Sequence, residues 1–416
     1  MADLLLQQES IEFGKKVLAN CFGLSEITIP TTIKVISESA FLDSSVTKVV
    51  IPPSVTTIES SAFKGCTLLA QIEIPDSVQS IGERIFEKCI SLKKVTLPSS
   101  LSSISNFAFF ECAQLETLEI PSSVTTIGES VFNSCQNLTR ITIPSSVTSI
   151  EKECFYNCPI LNEVTLQCNL TVLSSSIFKK CHALTSIQIP PSVTLIENDA
   201  FCETGLKEVT FPPSVNAIGS HAFTDCKSLA KVVFTKSVAL ISDFAFSKCV
   251  SLKNVDLSSS SITSLKCGTF LVCTALEKVV FPSSLKSIDD NCFEGCEALD
   301  NVDLPSSVEI IGSSVFKDCK ALKNVSLSSS LQSMGFNAFH DCLSLAKISI
   351  PSSLKAIEAG TFRECSSLSD VSIPSSVKSI KEHAFTGCIV LNEVVISSDA
   401  EITKTSFPPG TRVEKQ

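Results

Sequence analysis

The sequence predicts a repeat solenoid, mostly β with an α/β-type repeat, of about 17 coils of 23 residues with one parallel strand in each coil. Three observations predict it. Phenylalanine recurs at 41, 63, 86, 109, 132, 155, 178, 201, 223, 246, 270, 293, 316, 339, 362 and 385. The interval is 23 residues everywhere except 22 from Phe41 to Phe63, 22 from Phe201 to Phe223 and 24 from Phe246 to Phe270. Each period also carries the spacing L-x-x-L-x-L, seen as Leu138, Ile141 and Ile143, and most close that segment with a proline such as Pro144. Repetition at a fixed period of this length means units that bury their apolar face only against their neighbours.

Composition agrees. The chain has 416 residues, 44% of them hydrophobic and 18% charged, which excludes disorder. No apolar run reaches the roughly 18 to 20 residues of a membrane-spanning helix, so membrane insertion is not expected. A net charge of -10, from 33 Lys+Arg and 43 Asp+Glu, leaves no basic excess to displace counterions, so nucleic acid is set aside as a partner.

The elements follow in order. Residues 1–11 read as a segment covering the first coil; Asp3 and Glu9 and the short Leu4-Leu5-Leu6 run are unlike a secretory signal. The solenoid proper runs over 12–410, with Leu18 in the register of the phenylalanines. Within a unit, Leu138, Ile141 and Ile143 alternate as a strand does. Pro144 removes a donor that a longer ladder needs, so the strand ends there. Val147 and Ile150 then return inward, and Cys154 and Phe155 enter the core from the opposite wall. No long helical window occurs, and at most one 3₁₀ or α turn fits around the Ala-Phe segment. Phe407-Pro408-Pro409-Gly410 breaks the pattern, and 411–416 read as a polar tail that stops further stacking.

These residues carry a resemblance. Leu115, Leu118, Ile120, Pro121, Ser123, Val124, Ile127, Gly128, Val131, Phe132 and Cys135 make a pattern that resembles the BspA-like leucine-rich repeats, repeated from about residue 12 to 410. The resemblance implies a right-handed horseshoe or twisted rod used for protein recognition, in proteins often described as surface antigens or adhesins. It therefore implies a protein ligand and a place at the cell surface. A cytoplasmic leucine-rich repeat scaffold is the alternative where no secretion signal is read.

Fifteen of the 20 cysteines fall in one column three residues after the Phe, or after Leu18 for Cys21, which points to packing at an inward turn before a disulfide framework or a metal site. The two units that lose a residue there, at Ser44 and Thr204, also lose the Cys. Four histidines, His182, His221, His340 and His383, lie in no zinc, triad or phosphate-loop spacing, so neither enzyme chemistry nor a cofactor is expected. Gly82, Gly128, Gly219, Gly312 and Gly335 share one turn position and read as serving backbone geometry.

The outward strand positions are where such a repeat binds. They form a small polar column that includes Thr96, Thr142, Thr165, Thr210 and Asp256, flanked by charges of alternating sign. The densest mixed patch, Lys231, Lys253, Asp256, Lys278, Asp300 and Asp303, is the candidate protein-binding surface, against a merely solvated sheet face. The threonines also suggest a structural or ice-binding array, which Glu119 and Gln188 interrupt. Phe107, Phe110, Tyr156, Phe244 and Phe336 fall on the convex turn, either folded over a neighbouring coil or exposed to a partner.

Overall fold

A computed structural model describes residues 12–416; the segment 1–11 lies outside the described residues. The chain divides into two compact units, with a boundary between Gly205 and Leu206. Each is a stack of parallel-stranded coils, together about 18 turns of ~23 residues, and no helix occurs among the described residues.

In the first unit one wall is built from the predicted strand. Glu26–Thr28 pairs in parallel with Lys48–Val50, Gln71–Glu73 with Lys94–Thr96, and Arg140–Ile143 with Glu163–Leu166. The middle residue of each three-residue strand points inward and its neighbours are exposed, as in Lys48-Val49-Val50. Each coil then carries a second strand where only one was expected. Glu12–Phe13, Val35–Ile36, Thr57–Ile58 and Ser80–Ile81 join in one parallel sheet, and Ser103–Ile104, Thr126–Ile127 and Ser149–Ile150 in another. Its sequence signal is only one inward Ile behind a polar residue, too short to show an alternation.

The second unit repeats the plan. Glu208–Thr210 pairs with Lys231–Val233, Asn254–Asp256 with Lys278–Val280, Asn301–Asp303 with Asn324–Ser326, and Lys347–Ser349 with Asp370–Ser372. Residues Arg412–Lys415, read from sequence as a tail that stops stacking, pair in parallel with Glu393–Ile396. Val413 continues the inward alternation across Pro408-Pro409, which is why the ladder gains a strand.

The third wall holds the phenylalanines, and the turn there is not helical. The residues two before and two after each Phe adopt left-handed backbone: Ser39 and Asp43 around Phe41, Glu153 and Asn157 around Phe155, Phe244 and Lys248 around Phe246. A helix cannot pass through such residues. The reversals instead line up N–H groups toward the next coil: Ser39, Phe41 and Asp43 donate to the carbonyls of Ser60, Ala62 and Lys64 at 3.0, 2.8 and 2.8 Å. Even Val272 is held at φ 58°, a genuine outlier for a β-branched residue, because its N–H bonds Glu294 O at 2.7 Å.

Inside, the rings stack. Phe132 lies 5.3 Å from Phe155 at an interplanar angle of 5°, and Phe223 lies 5.1 Å from Phe246 at 2°. Leu18 keeps the register, its N–H bonding Ala40 O, but the ring that covers Phe41 is Phe13, at 5.2 Å. Thirteen of the fifteen column cysteines are seen to donate their thiols to the Phe carbonyl of the coil before, as Cys112 to Phe86 O at 3.1 Å. None of the 20 cysteines forms a disulfide. Ser44 takes the slot in one shortened coil, buried, with its Oγ 3.5 Å from Cys66 Sγ. The serine of the Pro-x-Ser-Val segment satisfies a carbonyl of the preceding coil in the same way, since Ser77 Oγ donates to Val55 O and Ser146 Oγ to Val124 O, both at 2.7 Å.

The shared glycines serve close approach rather than unusual dihedrals. Gly82 and Gly335 have ordinary φ, but a Cβ on either would come within 2.3 Å of Ser60 N or 2.5 Å of Ser313 N.

Candidate binding surface

The strand wall is the surface that the fold leaves open. Its inward residues are tied into the core, while both flanking positions of every three-residue strand project to solvent. In the second unit one outward column runs Glu208, Lys231, Asn254, Lys278, Asn301 and Asn324, with register partners Glu208↔Lys231, Asn254↔Lys278 and Asn301↔Asn324. The other runs Thr210, Val233, Asp256, Val280, Asp303 and Ser326.

The six predicted patch residues fall on three separate strand pairs. Lys231 lies on the first, with Nζ 3.9 Å from Glu208 Oε2. Lys253, Asp256 and Lys278 belong to the second. Lys253 Nζ is 3.8 Å from Glu277 Oε1. Asp256 Oδ1 accepts from Ser258 N at 2.9 Å, and that hydrogen bonding, aided by the charge of Lys278, holds its carboxyl below the usual range. Asp300 and Asp303 belong to the third, where Ser326 Oγ donates to Asp303 Oδ1 at 3.0 Å. Asp300 is half-buried and the other five are exposed. Loose ion pairs between exposed heads of this kind contribute little to stability, so the charges remain available for other partners.

Sequence reasoning placed Val233 and Val280 in this column but misjudged its character. Val233 and Val280 stand exposed between Asp256 and its neighbours, so this column alternates apolar and acidic groups where it was read as small and polar. Their β-branched residue type, in an outward register, was the available signal. Two grooves on the same wall of the first unit were missed. One, of about 420 Å³, is lined by Lys48, Val50, Pro53, Glu73, Pro75 and Lys94. The other, of about 480 Å³, is lined by Glu119, Arg140, Thr142, Glu163 and Gln167.

The convex aromatics divide. Phe107 lies under the Arg84 guanidinium, 4.1 Å from its centroid, and meets Phe110 edge-on; Phe244 stacks on His221 at 5.1 Å and lies against Gly268. These fold over neighbouring coils. Phe336 is 56% exposed and does not. The histidines stay apart: His383 Nδ1 meets Thr386 Oγ1 at 3.2 Å, His182 Nδ1 meets Glu203 O at 2.9 Å, and His340 Nε2 lies 3.3 Å from Asp341. Among the described residues no group of three or more His, Cys, Asp or Glu is gathered to hold a metal ion. Burial pushes the Cys181 and Cys273 thiols up to about 12.

The BspA-type leucine-rich repeat region model matches residues 3–70, 58–185, 171–300 and 286–409, which is nearly the whole chain. The chain belongs to the BspA-type leucine-rich repeat family. Among solved structures of similar shape, a leucine-rich repeat protein from Bacteroides ovatus is 28% identical, with 94% of this chain and 92% of that one covered at a TM-score of 0.69. A leucine rich cell surface protein from Faecalibacterium prausnitzii is 27% identical over 92% of this chain and 89% of its own, at a TM-score of 0.44. No curated protein matches this BspA-type chain. No helix among its described residues is long and apolar enough to cross a membrane.

Proposed function

We propose that this BspA-type solenoid is a non-enzymatic protein-interaction surface that binds a host or cell-surface protein through the strand wall of its second unit. The observation that carries the reading is the outward column Val233, Asp256, Val280, Asp303 beside Lys231, Lys253 and Lys278, with Asp300 at its edge: exposed apolar groups set among charges of both signs. Valines supply area to desolvate, and flanking charges set register and partner choice. With no aromatic in these columns to act as a compact anchor, affinity comes from area spread over several coils.

The test is photo-crosslinking on intact cells from a probe at Val280, with a probe at Lys88 on the Phe-turn wall as control. The proposal expects a protein partner captured from Val280, lost in a K253E/K278E variant and absent from the Lys88 probe. Capture from Lys88 alone contradicts it. Surface labelling of the same cells separates a surface-displayed protein from a cytoplasmic scaffold: labelling of this chain supports the first and its protection supports the second.

A further inference from the structure

The two walls of each coil are joined to their neighbours very differently. On the Phe-turn wall, neighbouring coils within a unit are stitched by backbone bonds: Ser61, Phe63 and Gly65 donate to Glu83, Ile85 and Glu87 at 2.8, 3.0 and 2.7 Å. Under them Phe63 stacks on Phe86 at 5.6 Å. On the strand wall the same two coils share no ladder. Lys48–Val50 pairs back with Glu26–Thr28, Gln71–Glu73 pairs forward with Lys94–Thr96, and the two pairs are separate sheets. The groove of about 420 Å³ lies along this seam. In the second unit the seam recurs between Lys278–Val280 and Asn301–Asp303, while Phe293 still bonds Val315 O at 2.9 Å behind it.

We propose that the strand wall is an articulated surface, in which rigid two-coil blocks swing open and shut at the seams about the Phe-turn wall as a hinge. The physical ground is the contrast within one interface. Three backbone bonds and a buried ring pair hold one edge, and the second short strand still pairs there, as Thr57–Ile58 does with Ser80–Ile81. Opposite them no strand-ladder bond has to break for the coils to part, and the flanking side chains that separate, Lys48, Val50, Gln71 and Glu73, are already exposed, with the inward Val49 and Ile72 buried beneath them. Local openings are drawn from such weakly bonded, solvent-facing contacts. A ligand spanning two seams then meets a face whose spacing adjusts in steps of one block. The inference holds whatever the wall binds.

Residue-resolved hydrogen exchange on the full chain tests it. The amides of Ile29 and Ile74 bond Val50 O and Thr96 O within blocks, at 3.0 Å each. The equivalent seam amide, Ile51, and that of Gln71 are expected to exchange at least tenfold faster than these. Oxidising V50C/E73C, at two residues that line the groove from either side of the seam, is expected to slow Ile51 and Gln71 at least tenfold; oxidising T28C/V50C, at register partners within a block, is expected to leave them fast. A smaller difference in the wild-type chain overturns the proposal. So do seam amides that stay fast in the cross-linked V50C/E73C protein, which marks a rigid gap, and a V50C/E73C pair that fails to oxidise where T28C/V50C does.

Discussion

The thiol of Cys89 donates to the carbonyl oxygen of Phe63, 3.0 Å away in the preceding coil, and the same oxygen accepts the N–H of Cys66 at 3.2 Å. One buried carbonyl is thus satisfied twice, once within its coil and once across the interface. Repeated along each unit, this bond explains why a cysteine, rather than another small apolar residue, fills the column. In Cys135→Ala the Phe109 carbonyl loses its 3.3 Å thiol donor. The expected loss is about 1 to 2 kcal/mol, since a buried acceptor keeps one of its two partners. Cys135→Ser keeps a hydroxyl donor, in a slot that Ser44 occupies naturally, and is expected to lose less; urea titration of both variants checks the order.

The same burial sets an alkaline limit. Cys181 and Cys273 titrate near 12 in the fold, against an ordinary thiol value of 9.0, because burial penalises the thiolate. The unfolded chain therefore releases these protons first. Stability is fully present below pH ~9 and falls as pH rises toward 12, by about 1.4 kcal/mol per pH unit for each such thiol. Thermal unfolding followed from pH 7 to 11 is expected to show a steepening drop above 9, and a flat profile refutes the assignment.

Gly82→Ala is expected to destabilise by about 2 to 3 kcal/mol, because its Cβ would press on backbone of the preceding coil, which has no flexible end to yield. Gly14→Ala, with nothing within 4 Å, is expected to be neutral. Equal effects in a chemical-denaturation comparison contradict the close-approach reading.

Much of this was legible in sequence because the period was. The Phe interval placed the buried column, and the L-x-x-L-x-L spacing placed strands such as Arg140–Ile143. The second strand was not, since two residues such as Ser80–Ile81 hold no alternation to read. The Ala-Phe segment looked compatible with a turn of helix because left-handed backbone falls on residues as unlike as Ser39, His221 and Val272, which carry no common signature. Columns of outward residues could be read off directly, yet the seams that divide Lys231, the Lys253/Asp256/Lys278 group and Asp300/Asp303 arise from ladder bonding that side-chain identity does not encode.

Asp256→Ala and Lys278→Ala are expected to change stability by less than about 0.5 kcal/mol, as both heads are exposed. Differential scanning calorimetry checks this. A loss of several kcal/mol in either shows that the outward columns are structural rather than free to bind.

The central claim is that the phenylalanine column within each unit is a dry, continuous spine. Phe246 is fully buried, stacked on Phe223 at 5.1 Å and on Phe270 at 5.7 Å. Equilibrium denaturation of Phe246→Ala tests the claim most directly. The account predicts a loss of about 3 to 5 kcal/mol; a loss below about 1 kcal/mol would mean that this ring is not part of a packed interior, and would contradict it.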